Sequence, residues 1–509
     1  MISAHILTLL IFTPLVGGVL LLFFRNESVV KSIAILFSAA DVALAIYLYL
    51  SFDPAGNQFQ FVEQMPWITN LNISYHLGID GISLLLVSLT TLLTLVSLVA
   101  SWSSIQKRVK AFNFFILFLE VGMIGVFSSL DLFLFYIFWE AMLIPMYFII
   151  GIWGHERRVY AAIKFFIYTM FGSLLMLVAI IWLGYYAGTL PQGKFTTNLV
   201  ELYKIAPTIP LSVQTWMFLA FTLSFAIKVP VFPLHTWLPD AHTEAPMAGS
   251  VLLAGVLLKM GTYGLLRFSL PLFPQSTFIF LPLMAILAII GILYGALVSM
   301  VQKDLKKLVA YSSVAHLGFV VLGIFAITIE SIQGSVIQMV NHGFTTGMLF
   351  LLVGMLYDRR HTREINEFGG LAKVVPLLAT FFMIAMLGSI GLPGLNGFVG
   401  EFLILLGSFK SEFLGNEAYA IAATLGVILA AVYMLWMYQR VFFKTVDNPR
   451  NQSLKDLDVR EVAVLVVMVL FIIWIGIYPM TFLSKSEPAV KALVDTMARA
   501  KIGVLTSVR

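Results

Sequence analysis

The stretch FAIKVPVFPLHTWLPDAH, residues 225–242, constrains how the rest of the chain can fold. An apolar run typical of a membrane helix reaches Lys228, and Pro230 and Pro233 follow at once. Proline lacks a backbone N–H and interrupts a helix, and a lysine at mid-membrane is unfavourable by roughly 2.5–3.5 kcal/mol. Non-helical backbone at membrane depth is tolerated only against protein or water. The stretch therefore predicts a broken membrane helix with a titratable amine beside an opened turn.

The composition on both sides of this stretch is that of a polytopic membrane protein. Of the 509 residues, 60% are hydrophobic and 11% are charged, whereas soluble proteins carry about 25% charged residues. The recurring apolar runs predict an all-α fold with about 14 transmembrane helices, at about 20 residues a span. The chain has no cysteine, so it can form neither disulfides nor cysteine-ligated iron–sulfur clusters.

The basic residues predict the orientation of the chain. Apart from Lys228 and Lys259, all lysines and arginines are placed at loops or helix ends, mostly in odd-numbered loops. The positive-inside rule puts those loops in the cytoplasm and both termini outside, most simply in a bacterial inner membrane. The same distribution explains the formal charge of +5 without nucleic acid. The basic tail after Lys485 falls outside, which predicts an interfacial amphipathic helix or a span count off by one.

Two sets of five spans have similar lengths, and the fourth span of each set is broken. The first break carries Pro230 and Pro233, and the second carries Pro393 and Gly394. Because five is odd, the second set starts on the opposite membrane face, which predicts two inverted repeats. The breaks also predict hydrated cavities, one opening from each side. The predicted domains are 1–109 (helices 1–3), 110–268 (first repeat), 275–440 (second repeat) and 441–509 (loop, helix 14 and tail).

Ionisable side chains inside apolar segments are the candidate site. Such groups are costly unless they are paired, protonated or hydrated, and pairing Glu140 with Lys228 would satisfy both. Lys259 could instead snorkel from a helix end. The clustering favours a proton relay over scattered structural polar groups. The predicted relay residues are Glu140, Lys228, Lys259, His316, His342 and Glu401.

Four further residues have no such assignment. Asp41 and Glu120 also lie in apolar spans, and each could form a helix–helix hydrogen bond or face a neighbouring chain. His235 and His242 lie in the proline-rich break, but no ligand spacing supports a metal site there. The chain contains no phosphate-binding loop, dinucleotide fingerprint or H-E-x-x-H motif. Uphill proton movement therefore needs an ion gradient or a redox partner.

Five long motifs identify the chain as resembling a known family. They cover FWEAMLIPMYFIIGIWGH (138–155), residues 228–268 from KVPVFPLHTWLP onward, QKDLKKLVAYSSVAHLGF (302–319), QMVNHGFTTGMLFLLVGMLYDRR (338–360) and GLPGLNGFVGEF (391–402). These segments closely resemble the antiporter-like, proton-translocating membrane subunits of respiratory complex I, NADH:quinone oxidoreductase. The resemblance covers essentially the whole chain, and its motifs are specific.

The resemblance implies a fourteen-helix fold with two inverted five-helix repeats. It implies a coupled pair of Glu140 and Lys228 and a terminal proton site at Glu401. The L and N branches of the family resemble one another in having a lysine at that last position, so Glu401 favours the M branch. Between the pair and the terminal site, the resemblance implies a hydrated axis of three residues: Lys259, His316 and His342.

The resemblance also implies what this chain would share with partners. FMN and iron–sulfur clusters would lie on partner subunits and quinone would bind elsewhere, so this enzyme subunit would have no redox centre, cofactor or metal of its own. Its partners would be the L and N siblings, through them the peripheral redox arm, and lipids. Three alternatives stay open: a subunit of a multi-subunit cation/proton antiporter, a subunit of a ferredoxin- or hydrogenase-linked relative, and a scaffold whose charges no longer pump.

Overall fold

The computed structural model describes residues 5–56 and 58–507 as membrane-length helices with one β-hairpin. Within that part of the chain, 13 helices are long and apolar enough to cross a membrane. Two shorter apolar helices, Pro376–Ser389 and Asn396–Phe409, follow one another. Together they make one further, broken span, which brings the number of spans from 13 to 14. The predicted polytopic helical fold, with about 14 spans, is confirmed.

The helix bounds follow the predicted order of spans. The N-terminal helices are α1 (Ile6–Leu20), α2 (Glu27–Ser51) and α3 (Gly81–Ala100). The first set comprises α4 (Val109–Ser128), α5 (Leu132–Ala141), α6 (Leu143–Trp153), α7 (Arg158–Thr189), α8 (Leu199–Ile205), α9 (Leu211–Lys228), α10 (Trp237–Glu244), α11 (Met247–Leu252), α12 (Leu258–Gly264) and α13 (Leu270–Leu272). The second set comprises α14 (Pro274–Met300), α15 (Leu305–Ala326), α16 (Ile329–Arg360), α17 (Pro376–Ser389), α18 (Asn396–Phe409) and α19 (Ala418–Phe442). The chain ends with α20 (Pro449–Gln452), α21 (Val459–Ile477) and α22 (Met480–Ser507).

An antiparallel hairpin between α2 and α3 was not predicted. Strands β1 (Gln60–Ile68) and β2 (Ile73–Ile79) pair from Gln60↔Ile79 to Ile68↔Ile73. Glu63 of β1 accepts hydrogen bonds from the N–H groups of Leu7 at 2.8 Å and Thr8 at 3.2 Å. The first N–H groups of a helix have no partner within it, so the hairpin supplies the cap that α1 lacks.

The first predicted break lies where the sequence places it. α9 ends at Lys228, and Pro230 offers no N–H to continue the helix. The carbonyl of Ile227 accepts instead from the indole Nε1 of Trp237 at 2.8 Å. The carbonyl of Ala226, which the N–H of residue 230 would serve in a regular helix, accepts from the N–H of Val231 at 2.8 Å, and the α10 side chain satisfies the carbonyl of Ile227 that this shift leaves free. The cavity beside this break has a volume of about 10 Å³ and an apolar lining.

The second break, between α17 and α18, is built on glycine. Gly391 and Gly394 have φ angles of 77° and 91°, on either side of Pro393. Glycine adopts positive φ without the Cβ clash that other residues meet. The amide of Asn341 on α16 donates to the carbonyl of Asn396 at 2.7 Å, which fixes the first turn of α18.

The span that follows the first break is also irregular, which the sequence analysis did not foresee. Two π-helical segments, Leu253–Leu257 and Leu265–Ser269, interrupt α11, α12 and α13. π-helical turns insert one residue and occur frequently at functional sites. The most apolar part of this span, Met247–Leu272, is completely buried.

The C-terminal helix α22 lies across helix ends instead of forming a further span. The Nζ of Lys485 donates to the carbonyl of Phe52 at the end of α2, at 2.8 Å. Lys501 donates to the carbonyl of Glu412, just after α18, at 3.3 Å. Strict alternation of the spans puts both contacts on the same side of the bundle. This arrangement agrees with the interfacial helix that the basic tail predicts.

Candidate functional site

Glu401 and His316 form a buried pair in the second set of spans. The Oε1 atom of Glu401, on α18, lies 3.0 Å from Nδ1 of His316 on α15. The same oxygen accepts a hydrogen bond from Nε2 of Gln338 on α16 at 3.2 Å. On the other side of the ring, Nε2 of His316 lies 3.2 Å from Oγ of Ser389 on α17. Because both ring nitrogens have polar neighbours, this histidine can accept a proton on one side and release one on the other.

Lys259 and His342 form a second buried contact next to the first pair. The Nζ atom of Lys259 lies 2.7 Å from Nδ1 of His342 and also donates to the carbonyl of Ala254. Proton transfer without a bridging water needs heavy atoms about 2.6–3.2 Å apart. The ring centroids of His342 and His316 are 6.0 Å apart. The structure thus brings four of the six predicted relay residues into one line.

The π-helical turn at Leu253–Leu257 explains how Lys259 reaches its partners. The wider π-helical turn directs the carbonyl of Ala254 toward the amine of Lys259. Gly255 has no side chain, so Leu93 of α3 and Gly343 of α16 approach its backbone closely. The helix that carries Lys259 is therefore held directly against the helix that carries His342.

Lys228 lies in an apolar cage and forms no ion pair with any residue that the structure describes. Its side chain is 1% exposed, and its Nζ lies 3.6 Å from Sδ of Met142. The Nζ also lies 5.6 Å from the ring of Trp139 and 5.2 Å from that of Phe165. Glu140 interacts with Lys228 electrostatically, but its Oε1 has no hydrogen-bond partner in the described structure. The two groups are therefore coupled through space without a direct hydrogen bond in this conformation.

His242 lies near Lys259 of the axis and near Lys306. The sequence analysis considered this histidine only as a metal ligand. It is fully buried, and neither ring nitrogen has a partner among the residues described. Its electrostatic neighbours are Lys259 and Lys306, and its ring stacks on Phe350 at 4.6 Å. Within residues 5–56 and 58–507, no three histidine or acidic side chains converge as a metal site. The sequence signal that could have placed His242 near the axis is its position in the helix that follows the first break.

A second buried charge was missed because the sequence analysis placed it at a helix end. Arg267 forms an ion pair of 2.6 Å with Asp80. Its guanidinium also donates to Tyr263 at 3.1 Å and to Ser83 at 3.3 Å. The cluster lines a cavity of about 260 Å³ that α22 closes on one side. Because Asp80 caps α3 and Arg267 lies in the π-helical segment Leu265–Ser269 of another span, no local pattern connects them.

His155, in the loop between α6 and α7, is a titratable group outside the spans. Burial, together with the nearby positive charges of Lys306 and Arg363, lowers its pKa to about 3. Its backbone N–H donates to the carbonyl of Glu244 at 3.0 Å, and its ring packs edge-on against Tyr357 at 4.8 Å. A neutral histidine thus joins the loop to α10 and α16.

The chain is similar to known proteins over nearly its whole length. Residues 129–428 match a family described as NADH:quinone oxidoreductase/Mrp antiporter, transmembrane. The chain is 43% identical to NADH-quinone oxidoreductase subunit M of Rickettsia prowazekii, covering 97% of this chain and 99% of that protein. It is 44% identical to subunit M of Rhodobacter capsulatus, covering 98% of both chains.

Solved structures show the same fold. A chain of respiratory complex I from Thermus thermophilus matches with a TM-score of 0.88 and 33% identity, covering 96% of this chain and 99% of that one. A chain of the Mrp complex from Dietzia matches with a TM-score of 0.85 over 98% and 99% of the two chains. The identity to the Mrp chain is 19%, so that similarity concerns the fold alone.

Proposed function

Since the chain belongs to the family of membrane subunits shared by NADH:quinone oxidoreductases and Mrp antiporters, we propose that it translocates protons as the M-type subunit of an NADH:quinone oxidoreductase. The observation that carries the proposal is the buried line Lys259–His342–His316–Glu401. Acid, imidazole and amine groups in contact are the groups that proton relays use in membrane proteins.

The proposed proton path runs from Lys259 to Glu401. The amine of Lys259 exchanges a proton with His342 through their 2.7 Å contact. One water bridges the gap between His342 and His316, because Nε2 of His342 is left without a protein partner in the described structure. His316 passes the proton to Glu401 across 3.0 Å, and Glu401 releases it to the outer side.

Lys228 and Glu140 would act as the input of this path. The cage around Lys228 offers a thioether and aromatic faces, which stabilise an ammonium less than a carboxylate in contact does. Separation of Glu140 from Lys228 therefore favours transfer of the proton toward Lys259. α12, which carries Lys259, packs directly on the end of α9 through Gly261.

The energy for the cycle would come from partner subunits. The chain carries no cysteine and no nucleotide-binding motif, so FMN and iron–sulfur clusters would lie on partners and quinone elsewhere in the complex. L- and N-type siblings would connect it to the redox arm. The setting would be a bacterial inner membrane, with odd-numbered loops in the cytoplasm and the two inverted repeats spanning 110–268 and 275–440.

The alternatives are an antiporter subunit driven by an ion gradient and a subunit of a ferredoxin- or hydrogenase-linked complex. Identities of 42–44% to oxidoreductase subunits, against 19% to the Mrp chain, favour the oxidoreductase. The subunit list of the purified complex and its electron donor would distinguish the three. Flavin- and iron–sulfur-containing partners that accept electrons from NADH are the expected result.

The proposal is tested by Lys228→Ala and Glu140→Ala in the assembled complex. Both variants should abolish or strongly reduce NADH-driven proton pumping, because each removes one half of the input pair. The exposed residues Lys204 and Glu412 offer matched controls, Lys204→Ala and Glu412→Ala, which should pump normally. Undiminished pumping by both input variants in a fully assembled complex would contradict the proposal.

A further inference from the structure

Helix α2 buries one narrow stripe, and an aspartate lies in the middle of it. Asp41 is fully buried, and α2 packs against α1, α3 and α4. Residues that recur every three or four positions share one face of a helix, so the stripe faces these neighbours and the rest of α2 faces lipid. The buried residues of α2 are Val30, Ala34, Ser38, Asp41, Ala45 and Leu48.

Glu120 of α4 and Asp41 interact electrostatically across the α2–α4 packing. Glu120 is fully buried as well, and Asp41 is its ionisable neighbour among the described residues. All four carboxyl oxygens are without a partner in the described structure. Thr94 of α3 lies beside Glu120, and its hydroxyl donates to the carbonyl of Thr90 at 2.9 Å. The oxygen of Thr94 is therefore left as an acceptor toward Glu120.

Two serine hydroxyls in the same three-helix interface are also without partners. Ser38 lies one turn before Asp41 on the buried stripe of α2, and Ser97 lies one turn after Thr94 on α3. Both are fully buried, and neither hydroxyl oxygen has a partner among the residues described. Buried polar groups in native proteins are nearly always satisfied, so this three-helix interface is unusually poor in hydrogen-bond partners among the described residues.

No basic side chain compensates the two carboxyl groups. Helices α1 and α3 carry no ionisable residue within their bounds. The other described ionisable residues on α2 and α4, and those on the elements packed against these two helices, do not act on either carboxyl group. Two uncompensated carboxylates side by side in hydrocarbon are strongly unfavourable, and protonation removes the charge. These other ionisable residues are Glu27, Lys31, Tyr47, Tyr49, Tyr75, His76, Lys110, Tyr136, Glu140, Tyr147, Lys259 and Tyr263.

We propose that Asp41 and Glu120 form a proton-binding site that holds at least one proton at neutral pH. A protonated Glu120 can donate a hydrogen bond to the hydroxyl oxygen of Thr94 or to the carboxylate of Asp41. Either bond gives a partner to carboxyl oxygens that have none among the described residues. The site is separate from the predicted relay, because Leu89 and Leu93 of α3 pack against the helices that carry His342 and Lys259. It therefore stands or falls independently of the proposed function.

The test is infrared difference spectroscopy on the full-length chain in lipid nanodiscs at pH 7. The variants are Asp41→Asn, Glu120→Gln and the double variant, all close in shape to the wild type. Wild type minus variant should show the carbonyl band of a protonated carboxyl group, shifted in D2O and unchanged by sodium chloride. The exposed Glu412 provides the control, and Glu412→Gln should show no such band.

The three variants keep the proposal falsifiable if one of them fails to fold. Any one that folds is sufficient, because each removes a member of the pair, and the double variant buries no charge at all. Absence of the band in the difference spectra would overturn the proposal. A band that disappears when sodium replaces choline would overturn it as well, since the pair would then be an ionised cation site.

Discussion

Replacement of Lys259 by arginine and by methionine separates a proton-transfer role from a structural one. Lys259 supplies hydrogen bonds to two buried acceptors, Nδ1 of His342 and the carbonyl of Ala254. Lys259→Arg keeps a donor and the positive charge, whereas Lys259→Met removes both. A structural hydrogen-bond donor would therefore be rescued by arginine, and a proton carrier would not.

The expected magnitudes follow from these contacts. Lys259→Met leaves two buried acceptors without a donor, at about 1–3 kcal/mol each. The methionine also removes a mid-membrane lysine, which itself costs roughly 2.5–3.5 kcal/mol. The two effects nearly offset, so we expect this variant to assemble. For Lys259→Arg, releasing a proton at pH 7 is harder than from lysine by about 2.9 kcal/mol on reference pKa values, which is about a 100-fold slower step.

The assay is NADH-driven proton uptake into proteoliposomes, measured beside NADH:quinone activity in the presence of an uncoupler. Both variants should lose pumping through this subunit, and the arginine variant should lose it by about 100-fold or more in rate. The control is Lys31, whose amine donates to the carbonyl of Trp102 at 2.7 Å outside the axis. Lys31→Arg and Lys31→Met should pump normally. Wild-type pumping by Lys259→Arg would refute the reasoning and leave Lys259 as a fixed charge.

Three further predictions concern stability. Arg267→Leu leaves the Asp80 carboxylate buried without its 2.6 Å partner, which should lower the free energy of unfolding by about 3–5 kcal/mol; Arg267→Leu combined with Asp80→Asn should recover part of that loss in thermal denaturation. The neutral His155, whose pKa is about 3 in the folded state against about 6.5 unfolded, contributes stability above pH 6.5 that is lost as the pH falls toward 3. His155→Phe should therefore show a smaller drop in denaturation temperature between pH 7 and pH 5 than the wild type, and equal drops would contradict this. Gly397→Ala places a Cβ against the carbonyl oxygen of Gly388, so it should destabilise the second break by about 1–3 kcal/mol, and an unchanged midpoint would show that the two helices separate freely.

The spans and both breaks are readable from the sequence, because hydrocarbon imposes simple rules on backbone and charge. A run of about 20 apolar residues crosses the membrane. A proline inside it leaves a backbone carbonyl without its usual N–H donor, and hydrocarbon offers no replacement. The same rules singled out Lys228, Lys259 and Glu401, since each is costly where it lies. The hairpin β1–β2 was missed because β1 lacks a regular alternation of apolar and polar residues and the membrane pattern on both sides dominated the prediction.

The pairings were decided only by the tertiary structure. Glu401 meets His316 and Lys259 meets His342 across 85 and 83 residues of chain, while Glu140 does not touch Lys228 in this conformation. Helices such as α15 and α16 are buried on nearly all sides, so their sequences do not show which face meets which neighbour. That rotation is set by small residues such as Gly255 and Gly343, where backbones approach closely. The sequence determines which groups the membrane must shelter, and packing alone decides which of them meet.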